Sequence, residues 1–318
     1  MDRKYKILII VVVVLVVLVF AFAVGMAVVV ANKHGSWGGS DKVALIRVEG
    51  VITSGRGGSG IFGEGGAGAE RIVKILKKFG EDDSTKAAVI RINSPGGSAA
   101  GSQEVYEEIM RLRLDGKKIV ISMGDVAASG GYYIASAADK IYADPASLTG
   151  SIGVIMETTD LQDLFQKIGV KMDSIKSGPH KDMGSPSRPL TAEERKILQS
   201  LINDVFDQFV TDVSNGRKLP KAEVLKLADG RVFTGRQAVK LKLVDDTGSL
   251  EDAIRGAAKA AGIKGKPTVI EYERTPGLFE VLFGNMENSR FPGQFPGSAV
   301  LGELAQRLLR ADSQLDIR

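Results

Sequence analysis

The chain has 318 residues, which leaves room for an anchor segment, one large domain and a tail. A composition of 44% hydrophobic and 25% charged residues is typical of a globular protein, and a net charge of +4 without a basic, aromatic-rich stripe does not suggest a nucleic-acid partner. Cysteine is absent, which excludes disulfides, thiol nucleophiles and thiolate metal sites. With only two histidines, His34 and His180, a metal site would depend on carboxylates, and we expect no metal and no cofactor.

The N-terminal region predicts a membrane anchor. A short basic segment, residues 1–6, precedes an uncharged apolar run over 7–31. At 1.5 Å per residue this run is about 37 Å long, enough to cross a hydrocarbon core of about 30 Å. Because the apolar core of a cleavable signal peptide has only about 7–15 residues, we predict an uncleaved transmembrane helix. The alternative is cleavage near Ala21-Phe22-Ala23.

Basic residues give the expected orientation of this anchor. Arg3, Lys4 and Lys6 precede the apolar run, and only Lys33 closely follows it. The positive-inside rule then places the N-terminus in the cytoplasm. We expect a single-pass protein of the cell membrane, in which a linker over 32–42 leads to an extracytoplasmic domain.

Strands alternate with helices over 43–273, which predicts one α/β domain with largely parallel strand pairing. A capping box, Thr191-Ala192-Glu193-Glu194, opens its longest helix. The predicted strands are 43–48, 87–92, 118–122, 140–143, 151–155 and 268–272, with an extended segment at 171–175. The predicted helices are 69–79, 101–114, 132–138, 161–168, a long one from 191, and shorter ones at 221–227, 235–242 and 250–261.

Two segments have no role in this alternation. The loop Gly50–Gly68 contains Gly55-x-Gly57-x-x-Gly60, which formally matches a dinucleotide-binding fingerprint, but no βαβ unit surrounds it, so a flexible loop is predicted. The tail over 274–318 has a different pattern and is predicted to be an appendage.

Two glycine-containing turns are candidates for chemistry. After the strand at 118–122, a run of small residues places Ser129 just before a helix, where a backbone amide can face a developing negative charge. The alternative is a packing turn in which Ser129 only caps the helix. Gly96-Gly97 has the same context one strand earlier, so amides of both turns could stabilise an oxyanion if the two strands are neighbours. A simple tight turn is the alternative there.

A serine nucleophile needs a base, and the G-x-S-x-G motif of the α/β-hydrolases is absent. Since histidine is nearly excluded, lysine is the main option, provided that its amine is desolvated and neutral. Lys181 is the candidate, because it lies in a loop between a predicted strand and the capped helix. The alternative is an ordinary surface lysine.

Four motifs follow one another along the chain: Ile92–Gly97, Ala127–Tyr133, Thr149–Val154 and Lys176–Asp182. In this order they resemble the signal peptide peptidase A family of membrane-anchored Ser/Lys proteases, and the resemblance covers about Val43 to Ala261. It implies a Clp-protease/crotonase-like fold, a spiral of ββα units, preceded by one transmembrane helix.

The same resemblance implies a role for each site residue. Ser129 would be the nucleophile and Lys181 the general base, with Ser151 holding the lysine amine in place. The backbone amides of Gly97 and Gly130 would form the oxyanion hole.

This chain resembles the short, single-domain form of the family. In double-length relatives the serine and the lysine come from different halves, so we expect a ring-like homo-oligomer in which neighbouring protomers complete each dyad. The expected activity is a serine endopeptidase for hydrophobic peptides, chiefly cleaved signal peptides, with small or apolar P1 residues. The alternatives are a protease for one membrane protein, such as a stomatin-like partner, a crotonase-like acyl-thioester enzyme, and a non-catalytic membrane scaffold.

Overall fold

A computed structural model describes residues 42–57 and 66–272 of the chain. The predicted anchor at 7–31 and the tail at 274–318 lie outside these described residues, as does the linker except for Lys42. Within the two described ranges, no helix combines the length and apolar character that a membrane span needs.

A mainly parallel sheet organises the domain. Its main path runs β10–β1–β4–β5–β6–β9, and every neighbouring pair along this path is parallel. The strands of the path are β1 (Lys42–Glu49), β4 (Thr85–Ser94), β5 (Lys118–Ala128), β6 (Lys140–Ala143), β9 (Asp246–Thr247) and β10 (Thr268–Glu271).

Four short strands complete the sheets of the described residues. β2 (Ile52–Thr53) and β3 (Ala67–Gly68) form a separate parallel pair. β7 (Leu148–Gly150) pairs in parallel with the end of β5 and antiparallel with β8 (Val232–Thr234). β7 therefore brings a third strand end to the edge where β4 and β5 finish.

Helices follow most of these strands. They are α1 (Ala69–Glu81), α2 (Ala99–Leu114), α3 (Gly130–Ser136), α4 (Gln162–Lys167), α5 (Ala192–Arg217), α6 (Lys221–Leu227), α7 (Gly235–Lys240) and α8 (Leu250–Ala260). The predicted capping box is present at the start of α5, where Thr191 and Glu194 exchange hydrogen bonds.

The central strands are buried on both faces, as near-continuous apolar sequences in parallel sheets require. Alternate residues of β4 point to opposite sides: Ala88, Ile90 and Ile92 join the core beneath α1, α2 and α3, whereas Ala87 and Val89 pack with α8. The sheet is thus covered by helices on both sides, and the strand ends are the part left open for a site.

The predicted α/β alternation is confirmed, but two predicted extended segments are wrong. No strand covers 151–155, since both Gly150 and Ser151 have positive φ, which ends β7 at Gly150. No strand covers 171–175 either, and Ile155 and Ile175 are exposed. The five strands of two or three residues were not predicted, because they are too short to show a periodic pattern.

The packing of α5 on α3 supplies a test of the fold. Gly216 of α5 is buried, and a Cβ at this position would lie 2.1 Å from the carbonyl oxygen of Ser136. We expect Gly216→Ala to lower the free energy of unfolding by about 1–3 kcal/mol through overpacking. Thermal unfolding measures the effect, with Asn215→Ala as the exposed control on the same helix turn. Equal unfolding temperatures for the two variants would contradict this packing.

Candidate active site

Three turns meet at one edge of the sheet. β4 and β5 are parallel neighbours, with Ser94 opposite Ala127, so the turns that follow them lie side by side. β7 pairs with the last residues of β5, with Gly150 opposite Ala128. The condition under which the two glycine turns could cooperate is therefore met, and a third turn joins them.

Ser129 has an unusual backbone conformation. Its φ is 52° and its ψ is −120°, a region that a residue with a Cβ rarely adopts. Its N–H donates to the carbonyl of Gly150 over 2.9 Å, and its own carbonyl accepts from the N–H of Tyr133 over 2.9 Å. Such a backbone costs about 1–3 kcal/mol and persists only where the surroundings hold it in place.

The hydroxyl of Ser129 is not used for capping. No side-chain hydrogen bond closes the N-terminus of α3, although Ser129 is the capping residue. The simple packing role considered from the sequence therefore does not account for this serine. Its hydroxyl is left at the open end of the sheet, beside the helix N-terminus.

Two backbone amides that have no hydrogen-bond partner among the described residues lie next to this hydroxyl. The residues flanking Gly97 bond to Ile52, because the Ile52 N–H donates to Gly96 and its carbonyl accepts from Ser98. In a parallel bridge the N–H of Gly97 then points to the opposite side, where the Gly130 backbone approaches it. Gly130 is the first residue of α3, so its N–H also lacks a partner within the helix. Both amides are available to an anion.

Close backbone packing explains the glycines at this point. A Cβ on Gly96 would lie 2.7 Å from the Cβ of Ser129, and a Cβ on Gly130 would lie 2.3 Å from Oγ of Ser102. Gly96 and Gly97 also have φ values of 106° and 148°. Larger residues would separate the two turns, so the glycines permit the amides to approach the hydroxyl.

Ser151 is the first residue after β7 and also has positive φ, 50°. Its N–H donates to the carbonyl of Arg231 over 2.9 Å, which ties it to the residue preceding β8. Gly150, the residue before Ser151, accepts the amide hydrogen bond from Ser129. This bond therefore holds the two serines close to each other. Both line one cavity.

This cavity has a volume of about 320 Å³. Gly97, Ser129, Gly130 and Ser151 form its polar end. The wall is mostly apolar and is built from Ala99, Tyr133, Val154, Ile155, Val205 and Phe209, with Gly153 and Gly230. A pocket of this size and lining suits an apolar side chain next to a reactive carbonyl.

An aromatic cluster fixes the cavity wall that α5 contributes. The rings of Tyr133 and Phe209 stack with centroids 4.5 Å apart, and the hydroxyl of Tyr133 donates to Oδ2 of Asp212 over 2.5 Å. Burial raises the pKa of Tyr133 far above its usual range, and the hydrogen bond to Asp212 adds to the effect. The phenol therefore stays neutral, and its hydrogen bond keeps α5 attached to α3, the helix that follows Ser129.

Lys181 is not part of this arrangement within one chain. It is exposed and does not line the cavity, and among the described residues its amine forms no ion pair or hydrogen bond. The structure thus brings together Ser129, Ser151, Gly97 and Gly130 and leaves Lys181 apart from them.

Val205 and Phe209, which line the cavity from α5, are among the cavity residues that the sequence did not identify. Both are apolar residues of the long helix, and the apolar stripe to which they belong in the sequence does not show what it faces. An apolar stripe has the same sequence pattern whether it faces a cavity or the core, so it did not reveal this cavity wall.

Family models agree with this fold. A model of Clp protease matches residues 66–152, and a model of peptidase family S49 matches residues 111–264. The first match covers the Ser129 turn together with β4, β5 and β7. Together they define a serine-type peptidase built on a Clp-protease-like α/β domain.

Individual relatives agree with the family models. A putative protease of Synechocystis sp. is 43% identical over 222 residues, which cover 70% of this chain and 75% of the relative. A putative signal peptide peptidase SppA of Enterococcus faecium is 37% identical over 245 residues, covering 77% and 71%. Protease 4 of Haemophilus influenzae is 40% identical over 217 residues, covering 68% of this chain but 34% of the longer relative. The chain belongs to the signal peptide peptidase A family, peptidase family S49.

The strained backbone at Ser129 gives a stability prediction. Glycine adopts positive φ without steric cost, whereas alanine retains the strain. We expect the free energy of unfolding of Ser129→Gly to be about 1 kcal/mol higher than that of Ser129→Ala, since only glycine relieves the strain. Denaturant unfolding of both variants tests this, and equal midpoints would show that no strain is stored at this turn.

Proposed function

We propose that this chain is a membrane-anchored serine endopeptidase that uses a Ser/Lys dyad to degrade hydrophobic peptides, chiefly cleaved signal peptides. The observation that carries the proposal is the uncapped, strained Ser129 beside two free amides and an apolar cavity. In this proposal Lys181 is the general base, Ser151 orients its amine, and the amides of Gly97 and Gly130 form the oxyanion hole.

The proposed reaction follows from these roles. The neutral amine of Lys181 removes the proton from Oγ of Ser129, and Oγ attacks the scissile carbonyl carbon. Negative charge on the former carbonyl oxygen is stabilised by the N–H groups of Gly97 and Gly130. The C–N bond then breaks, and the leaving amine takes the proton from the lysine ammonium. Water, activated by the same amine, hydrolyses the acyl-enzyme and releases Ser129.

The exposed position of Lys181 supports a homo-oligomer in which the base comes from a neighbouring protomer. The stretch that carries Lys181 also exposes large apolar side chains, which is costly unless another surface covers them. They include Ile155 (84% exposed), Ile168 (62%), Met172 (57%) and Ile175 (103%). A neighbouring cavity would both cover this stretch and desolvate the lysine amine, as a lysine base requires.

The cavity and the anchor support the proposed substrate class. Its apolar wall favours small or apolar P1 side chains. An anchor over 7–31 with the N-terminus in the cytoplasm would hold the domain just outside the bilayer, where the remains of signal peptides are found. By contrast, a crotonase-like reaction would need acidic catalytic groups, and the described residues that line the cavity include no carboxylate.

The first functional prediction concerns the dyad. In full-length protein in detergent, we expect Ser129→Ala and Lys181→Ala each to lower kcat on a fluorogenic peptide with a small apolar P1 residue by about 10³-fold or more. Ser151→Ala is expected to have a smaller effect, because it removes only the group that orients the amine. Wild-type turnover in both dyad variants would refute the mechanism.

The second prediction tests whether the dyad is shared between chains. Co-expressed Ser129→Ala and Lys181→Ala chains would form mixed oligomers in which an intact serine faces an intact lysine. With random assembly, about a quarter of the sites would be complete, so activity should recover to about that fraction of wild type. Each variant expressed alone is the control.

A dyad formed within one chain gives a different result. Every chain in the mixture would then lack one member, and no activity would return. Failure of mixed oligomers to recover activity, with assembly verified by two affinity tags, would therefore rule out the shared dyad while leaving the dyad itself intact.

A further inference from the structure

The chain around Lys181 is not held by a hydrophobic core of its own. No residue over 153–193 is buried, and Lys181 lies in this stretch. We call residues 177–185 the lysine turn. Backbone hydrogen bonds shape it locally, from Lys181 to Gly178 and from Met183 to His180. These bonds curl the turn but do not attach it to the rest of the domain.

Asp182, the residue after Lys181, is the anchor point of the turn. Its carboxylate accepts from Nζ of Lys176 over 2.7 Å and from Nε and Nη2 of Arg188 over 3.0 and 2.7 Å. The hydrogen bonds from Arg188, followed by the one from Lys176, hold the pKa of Asp182 well below its usual range. The carboxylate is therefore ionised throughout the neutral range, and the contact persists there.

Arg188 also reaches the first turn of α5. Its Nη1 and Nη2 donate to Oε2 and Oε1 of Glu194 over 2.8 and 2.6 Å. Glu194 is only 1% exposed, and it also completes the capping box with Thr191. The bonds from Arg188 lower the pKa of Glu194 to about 2. One planar guanidinium thus makes paired contacts with two carboxylates, a geometry that lysine does not reproduce.

Further along, the same helix is attached to α3, the helix that follows Ser129, which we call the serine helix. Phe209 of α5 stacks on Tyr133, and Asp212 accepts the hydrogen bond from the Tyr133 hydroxyl. Buried aromatic contacts therefore attach α5 to α3. At its other end, Arg188 attaches α5 to the lysine turn. An ion pair on an open surface contributes little, but the Arg188 contacts connect an otherwise unburied turn to a rigid helix. The turn has one longer contact with the same helix, from Nε2 of His180 to Oε1 of Glu193 at 3.7 Å.

We propose that Arg188 is a positioning residue: by bridging Asp182 and Glu194, it attaches the lysine turn to α5 and presents Lys181 in one fixed orientation. This inference rests on the proposed role of Lys181 as general base. Arg188 itself contacts neither serine nor peptide in this role. Its effect is on the geometry of proton transfer, so it is expected in turnover rather than in substrate binding.

The test compares kcat and KM of the full-length oligomer with those of Arg188→Ala and Arg188→Lys. Because small misplacements of a reacting group are costly, we expect Arg188→Ala to lower kcat about 10- to 100-fold. KM should change less than about twofold, since the cavity is untouched. Arg188→Lys keeps the charge but loses the paired contacts, so its kcat should lie between those of the wild type and Arg188→Ala.

A matched control is Arg255→Ala. Arg255 donates to Asp252 over 2.5 Å in an exposed ion pair on α8, away from the lysine turn. This variant should retain wild-type kcat and KM. Oligomer size and unfolding temperature are measured for every variant, so that a change in kcat is compared at equal assembly.

Asp182→Asn provides a second route if Arg188→Ala does not assemble. It weakens the contact at the lysine turn but leaves the Arg188–Glu194 contact and α5 intact, and it should lower kcat with KM unchanged. Wild-type kcat in an assembled Arg188→Ala or Asp182→Asn oligomer would overturn the proposal. So would a fall in kcat accompanied by an equal rise in KM. If Lys181→Ala itself retained wild-type kcat, the base assignment would fail instead, whatever Arg188 does.

Discussion

The hydrogen bond from the Ser129 amide to the Gly150 carbonyl, 2.9 Å long, joins the two turns on which the site depends. It continues the pairing of β5 with β7 one residue past the end of β5, through a residue whose backbone is left-handed. A strained residue keeps such a conformation only when its neighbours determine it. This bond therefore positions the Ser129 hydroxyl and, one residue on, the Ser151 turn, while the glycine turn after β4 packs against the Ser129 turn.

α5 connects two parts of the domain that are stabilised in different ways. Near Phe209, burial and aromatic stacking attach it to the serine helix, and water is excluded. At its first turn, Glu194 and Arg188 attach it to a stretch without buried residues. Hydrophobic packing gives the serine side its rigidity, whereas directional charged hydrogen bonds do so on the lysine side. A surface that must fit against another molecule can thus be ordered in advance without a core beneath it.

Local sequence patterns predicted the parallel α/β domain and the turns at Gly97 and Ser129, because buried strands followed by tiny residues and helices are visible within about ten residues. The turn at Ser151 was missed: a non-glycine residue with positive φ has no sequence signature, and the β7–β8 pairing joins Gly150 to Val232, far apart in the chain. The ion pairs of Arg188 were also not predicted, since they depend on how an irregular turn folds back. On the proposed mechanism, the position of Lys181 relative to a serine depends on a second chain, which no pattern within one chain describes.

The separation of Lys181 from the cavity has a consequence for timing. On the proposed mechanism each newly made chain carries a nucleophile without its base and a base without its nucleophile, so it is latent until chains meet. Hydrolysis would then depend on the local density of chains in the bilayer, much as a reaction between two solutes depends on concentration. Confinement by the proposed anchor would raise that density in the plane of the membrane, whereas a single chain that has not met another would leave neighbouring proteins intact.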